Sequence, residues 1–193
     1  MEDIVKASLR DHLAVIQSLE AMVPQVVTIA EVIIASLRSG GRLYCCGNGG
    51  SAADAQHLVA ELIGRFRRER PGLPAIALTT DSSVLTAIGN DFAFDLVFSR
   101  QVAALCRPGD VLLCLSTSGN SPNVLAALRQ ARELGTITVG FGGRGGGQMA
   151  ALCDHTLIVA HQDTARIQEA YLLMGHIICD LIDAAFAPGP ATP

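Results

Sequence analysis

Apolar residues fall at helical spacing through the first part of the chain. Ile4, Leu9, Leu13, Ile16 and Leu19 form one stripe, and Val26, Val27, Ile29, Ile33, Ile34 and Leu37 form the next. Two helices over residues 2 to about 39 are predicted, with a break or kink at Pro24. Their apolar faces need covering, by the rest of the same domain or by a second subunit. After Gly40-Gly41 the pattern changes. Short apolar runs at 42–46, 75–78, 111–115, 136–141 and 156–159 read as strands. Helical patterns at 51–66, 82–89, 95–105, 122–133, 147–152 and 165–185 lie between and after them. Strands without polar alternation, regularly interleaved with helices, imply a parallel sheet covered on both faces. The expected fold is α/β, a three-layer αβα sandwich on a five-stranded parallel sheet of flavodoxin-like type. The division is a helical arm at 1–39, suited to oligomerisation, an α/β domain at 40–186 and a disordered tail at 187–193.

In such sheets ligands bind at the carboxyl ends of the strands, and two loops there carry unusual chemistry. Ser116-Thr117-Ser118-Gly119-Asn120-Ser121-Pro122 joins the apolar run 111–115 to a helix. Ser121 is expected to cap that helix and Pro122 to take its first position. Free N–H groups and the positive end of the helix dipole then make the turn a seat for phosphate. No lysine follows in the Walker pattern, so the turn is not a nucleotide P-loop, and no nucleotide cofactor is expected. The second loop is Gly47-Asn48-Gly49-Gly50-Ser51, after the first strand. On the helix behind it His57 and Glu61 stand at i, i+4, on one face. That spacing suits a shared metal, an acid–base pair at a small substrate, or a plain surface pair. His176 sits among apolar residues on the last helix, where a histidine alone reads as readily as a core residue.

Composition narrows the classes. A chain of 193 residues supports one domain with a substantial core. A net charge of −4 argues against nucleic acid as a partner. No 18-residue apolar run is present, and Met1-Glu2-Asp3 is acidic where a signal peptide is basic, so no membrane association and a cytoplasmic location are expected. The six cysteines lack Cys-x-x-Cys spacing and read as reduced and buried. Arg65, Arg67, Arg68 and Arg70 read as a solvated helix end or as positive potential that draws in a phosphorylated ligand.

Three motif groups together resemble a known family. They are Gly47-Asn48-Gly49-Gly50-Ser51 with Asp54, His57 and Glu61, then Ser116-Thr117-Ser118-Gly119-Asn120-Ser121, then Arg166-Ile167-Gln168-Glu169 with His176. Arg70-Pro71-Gly72-Leu73-Pro74-Ala75, Ile88-Gly89-Asn90-Asp91-Phe92 and Phe98-Ser99-Arg100-Gln101 extend the match. From about residue 40 to 183 the chain resembles the phosphoheptose isomerases of the sugar-isomerase (SIS) domain superfamily. The resemblance implies an enzyme that converts sedoheptulose 7-phosphate to D-glycero-D-manno-heptose 7-phosphate through an enediol. That reaction begins the synthesis of ADP- or GDP-heptose precursors for lipopolysaccharide and other surface glycans. By resemblance Glu61 is the base and His176 the acid. Ser116, Thr117, Ser118 and Ser121 hold the phosphate, while Asn48, Gly49, Gly50, Glu61, Asn90, Asp91 and Gln168 contact the sugar.

The resemblance further implies one zinc per subunit on His57, Glu61, Gln168 and His176, and a homotetramer with helices at its centre. Gln168 and His176 are roughly 12 Å apart along a straight helix. They meet at one ion if both side chains stretch toward each other or if the helix start is distorted; otherwise they serve different copies of the site. Two departures from the family pattern stand out: the glycine-crowded Gly142-Gly143-Arg144-Gly145-Gly146-Gly147, and Ala165, where some relatives carry an acid. A non-enzymatic relative that associates with the bacterial replication initiator is the alternative. It lacks the paired acid and histidine that this chain has. A sugar-phosphate-sensing regulator is a third reading, but residues 1–39 lack the basic charge of a fused DNA-binding module.

Overall fold

The computed structural model describes residues 1–188. Five strands form the sheet: β1 (Leu43–Gly47), β2 (Ala75–Ala77), β3 (Val111–Ser116), β4 (Ile137–Gly143) and β5 (His155–Val159). Their order is β2-β1-β3-β4-β5 and every pairing is parallel. The helices are α1 (Glu2–Ser18), α2 (Val23–Arg38), α3 (Gly50–Ile63), α4 (Ser82–Asp91), α5 (Ser99–Leu105), α6 (Pro122–Glu133) and α7 (Thr164–Phe186). Alternate strand residues feed two cores, as a pleated sheet requires. Leu43, Cys45, Leu113, Leu115 and Phe141 pack with α2, α3 and α7. Tyr44, Cys46, Leu112 and Cys114 pack with α5 and α6. The expected α/β sandwich with its helical arm is what the chain forms.

Several boundaries move for local reasons. The break in the arm is a 3-10 turn at Leu19–Met22, and Pro24 lies in the first turn of α2, where a missing N–H costs nothing. The helix expected at 95–105 is a 3-10 turn at Phe94–Leu96 followed by α5. The one expected at 147–152 is a single 3-10 turn, Met149–Ala151. All six cysteines are free, and all but Cys153 are buried. The tail expected at 187–193 lies mostly outside the described residues.

By length and composition Glu2–Arg38 is long and apolar enough to cross a membrane, against expectation. Its inner face is nonetheless part of the core: Val15, Val26, Ile29, Ala30, Ile33 and Leu37 pack on the sheet and α7. Three members of the arginine cluster, Arg65, Arg67 and Arg68, are exposed as the solvated reading expects, and only Arg70 departs from it. Arg67 and Arg68 pair with Asp180, and Arg65 with Glu69. Arg70 is buried and its Nε donates to Asp183 Oδ1 at 2.7 Å.

Asp183 also accepts from the backbone N–H groups of Arg67 and Arg68, at 2.7 and 2.9 Å. Burial alone raises its carboxyl pKa, but these donors together with Arg70 hold it below the ordinary range. The pair ties the loop after α3 to the last turns of α7. Asp183→Asn leaves the guanidinium buried without its counter-charge and is expected to cost about 3–5 kcal/mol in urea unfolding. A depressed folded-state pKa stabilises the fold above the ordinary carboxylate range. The wild type therefore loses this contribution as pH falls through the folded value, and the variant has none to lose.

Candidate active site

Strand order reverses between β1 and β3, since the chain turns outward to β2 from one and to β4 from the other. Open sheets bind ligands at that point, and both motif loops lie there. Asn48 follows β1, and the serine turn follows β3. Gly119 in that turn has φ +64°, and a Cβ on it would lie 1.9 Å from Gly146 O. The glycine-crowded loop backs the turn: Met149 N–H donates to Gly119 O at 2.9 Å and Gln148 N–H to Asn120 Oδ1 at 3.0 Å. Arg144 holds that loop to the approach of α7, through Nε to Gln162 O and Nη2 to Thr164 Oγ1, both at 2.9 Å.

Pro122 opens α6 as expected. Ser121 stands at the cap position but its side chain bonds no backbone N–H there. Its Oγ instead meets Ser116 Oγ at 3.1 Å. The capping expectation is corrected: two hydroxyls face each other across the turn, and the Val124 N–H that Ser121 would have capped is bonded by Asn123 Oδ1 at 2.9 Å.

Helices α3 and α7 run side by side in the same direction. Gln168 Nε2 lies 3.4 Å from Ser51 Oγ, Ser51 Oγ lies 2.5 Å from Tyr171 Oη, and His57 Nε2 lies 2.8 Å from His176 Nε2. His57 Nε2 is also 3.4 Å from Glu61 Oε1. Ligand atoms of His57, Glu61 and His176 all lie within 4.8 Å of one another. Two imidazole nitrogens and a carboxylate oxygen converging from three side chains are a donor set that suits zinc and leaves one position open. Phe66 stacks on the His176 ring, with centroids 5.3 Å apart and planes 10° apart. Burial lowers the His176 pKa, His57 and Arg67 lower it further, and Glu61 opposes them. These influences together favour the neutral imidazole.

The remaining expected residues are dispersed. Gln168 lies over Gly50, where a Cβ would come within 2.7 Å of its Nε2, at the opposite end of α3 from Glu61. α7 is unbroken from Thr164, so no distorted start carries Gln168 to the histidines. Asn90 and Asp91 are exposed at the end of α4, joined by Asn90 Nδ2 to Asp91 Oδ1 at 2.9 Å. Sequence reasoning missed Phe66, Tyr171 and Asn123, whose partners are on other elements. Asn123 pairs with Asn48.

This arrangement has close counterparts among known proteins. A family model described as the SIS domain matches residues 8–143. Phosphoheptose isomerase 1 of Campylobacter jejuni is 50% identical over 186 residues, covering 96% of this chain and 100% of that one. The chain belongs to the phosphoheptose isomerase family of SIS-domain proteins. Solved structures agree. The family member from Neisseria gonorrhoeae aligns with a TM-score of 0.90 at 46% identity, covering 95% of this chain and 98% of that one. The member from Francisella tularensis gives 0.91 at 36%, covering 94% of this chain and 97% of that one.

Gly119 is the position in the serine turn where a side chain fits least. Gly119→Ala puts a side chain on a left-handed backbone and into a carbonyl oxygen, so the turn must move. The variant is expected to lose roughly 2 kcal/mol or more of stability, with weaker retention of phosphorylated sugar. Thermal melting with and without sedoheptulose 7-phosphate checks both.

Proposed function

We propose that this chain interconverts sedoheptulose 7-phosphate and D-glycero-D-manno-heptose 7-phosphate, a ketose–aldose isomerisation in heptose biosynthesis. The observation that carries the reading is the meeting of Glu61 and His176 on neighbouring helices. It occurs in a chain 50% identical to a phosphoheptose isomerase along 96% of its length. The non-enzymatic reading is not favoured, because a binding protein has no chemical use for that pair.

In this reading Ser116, Thr117, Ser118 and Ser121 hold the 7-phosphate. The positive end of the α6 dipole supports them. Asn48, Gly49, Gly50, Asn90, Asp91 and Gln168 contact the sugar. The Glu61 carboxylate removes the C1 proton and delivers it to C2. His176 gives a proton to O2 as the enediol forms and takes one from O1 as it collapses. A neutral imidazole suits this double duty, since one ring N–H can give its proton to O2 and recover one from O1 while the other nitrogen faces the metal site.

His57, Glu61 and His176 would hold one zinc per subunit, and their N/O donor chemistry supports that assignment; a zinc-bound carboxylate is a poorer base, so Glu61 would not hold the ion and take the proton in the same step. When bound, the ion supplies Lewis-acid polarisation of the sugar oxygens. Gln168 is a fourth ligand by resemblance; its hydrogen bond to Ser51 within one chain favours a role toward the sugar or toward another copy of the site.

Self-association as a homotetramer is supported by bare apolar side chains. Leu173, Ile177 and Leu181 of α7 and Val23 and Val27 of α2 line an open groove of about 450 Å³. Ile4, Leu9 and Leu13 extend the apolar surface along α1. A cytoplasmic location follows from the metabolic role.

Glu61→Gln and His176→Gln are each expected to lower kcat by about 10²–10⁴ with sedoheptulose 7-phosphate, at unchanged circular dichroism. Normal turnover in both would remove the mechanism. Metal analysis of the purified protein is expected to find zinc near one per chain, depleted in His57→Ala. A fully active, metal-free protein would remove the zinc assignment.

A further inference from the structure

We infer that Asn123 is a positioning residue that fixes which groups Asn48 offers to the sugar. The inference rests on the isomerase reading and adds a residue to its machinery. Asn123 is 2% exposed and is the second residue of α6, just behind the serine turn. Its Oδ1 accepts from the backbone N–H of Val124 at 2.9 Å. Only the carbonyl end of an amide can accept, so a buried backbone donor decides which way the Asn123 amide faces. Its Nδ2 then donates to Asn48 Oδ1 at 2.8 Å, and Asn48 Nδ2 donates back to Asn123 Oδ1 at 2.8 Å.

The two amides form a closed reciprocal pair across the gap between the β1 and β3 loops. Orientation passes from the Val124 N–H to Asn123 and from Asn123 to Asn48. A flip of Asn48 alone would set nitrogen against nitrogen and oxygen against oxygen. The pair uses one N–H and one lone pair of Asn48. The other N–H and the other lone pair of Asn48 have no further partner among the described residues. Asn48 thus faces a ligand with its donor and acceptor already assigned, and the sugar does not have to order them on binding.

The test is a double-mutant cycle on KM and kcat for sedoheptulose 7-phosphate. It uses Asn48→Ala, Asn123→Ala, both together, and Asn123→Asp. The last keeps an acceptor for Val124 N–H but cannot donate to Asn48, so it removes the orientation while keeping the helix start. Each single variant is expected to raise KM roughly fivefold to tenfold, the worth of about one hydrogen bond, with kcat within about twofold. The double variant is expected to be no worse than Asn48→Ala, because Asn123 acts through it. KM effects that multiply overturn the inference. So does a wild-type KM in Asn123→Asp, or a lowered melting temperature in Asn123→Ala with KM unchanged. Failure of the isomerase reading has a different signature: no turnover by the wild type.

Discussion

The register of α3 against α7 is the constraint on which the site depends. Both helices lie on one face of a parallel sheet, so both run opposite to the strands and parallel to each other. Contacts at 51 with 168 and 171, 57 with 176 and 58 with 175 fix how far one has slid along the other. Gly175 sets the closeness. A Cβ there would stand 2.7 Å from Leu58, and without it the neighbouring rings of His57 and His176 touch. A slip of one residue turns a helix by about 100° and would carry His176 off the seam. The Ser51–Tyr171 hydrogen bond and the Arg70–Asp183 pair pin this seam toward its two ends.

The second constraint comes from the sheet. Gly47 and Leu115 are register partners on adjacent strands, so the loops that follow start side by side. In the proposed function a phosphate held at one loop and a sugar crossing the other would leave the carbons farthest from the phosphate for the α3–α7 seam, and binding energy far from the reacting atoms would orient them, as positioning catalysis requires. The amide pair between Asn48 and Asn123 ties the two loops to each other, so they hold one separation.

Much of this was legible in the residues. The sheet could be read because its strands are apolar on both faces, a pattern few other elements produce. The His57–Glu61 pair could be read because helical spacing alone puts it on one face. Residues whose meaning depends on a distant partner could not be read the same way. Arg70 looked solvated because its carboxylate is 113 residues away. Asn123 looked like an ordinary first-turn residue because its partner is 75 residues away. Ser121 looked like a cap because local preference favours it, but Ser116 takes its hydroxyl. The turn at Met149–Ala151 fell short of a helix because the glycines before it take left-handed angles that no helix continues.

The same logic separates the two faces of α7. Gln168, Tyr171, Gly175 and His176 turn toward α3. Leu173, Ile177 and Leu181, spaced i, i+4, i+8, form an adjacent stripe that one chain leaves more than a third exposed. Water gains nothing from three large apolar side chains in a row, whereas covering them removes apolar area at about 25 cal/mol per Å². Pressing a subunit against that stripe would hold α7 from outside while α3 holds it from inside. The apolar arm, membrane-like in composition but core-packed along its inner face, would then form the other wall of that joint. Assembly and catalysis would share one helix, and a change that loosens the apolar stripe would be felt at His176 without touching it.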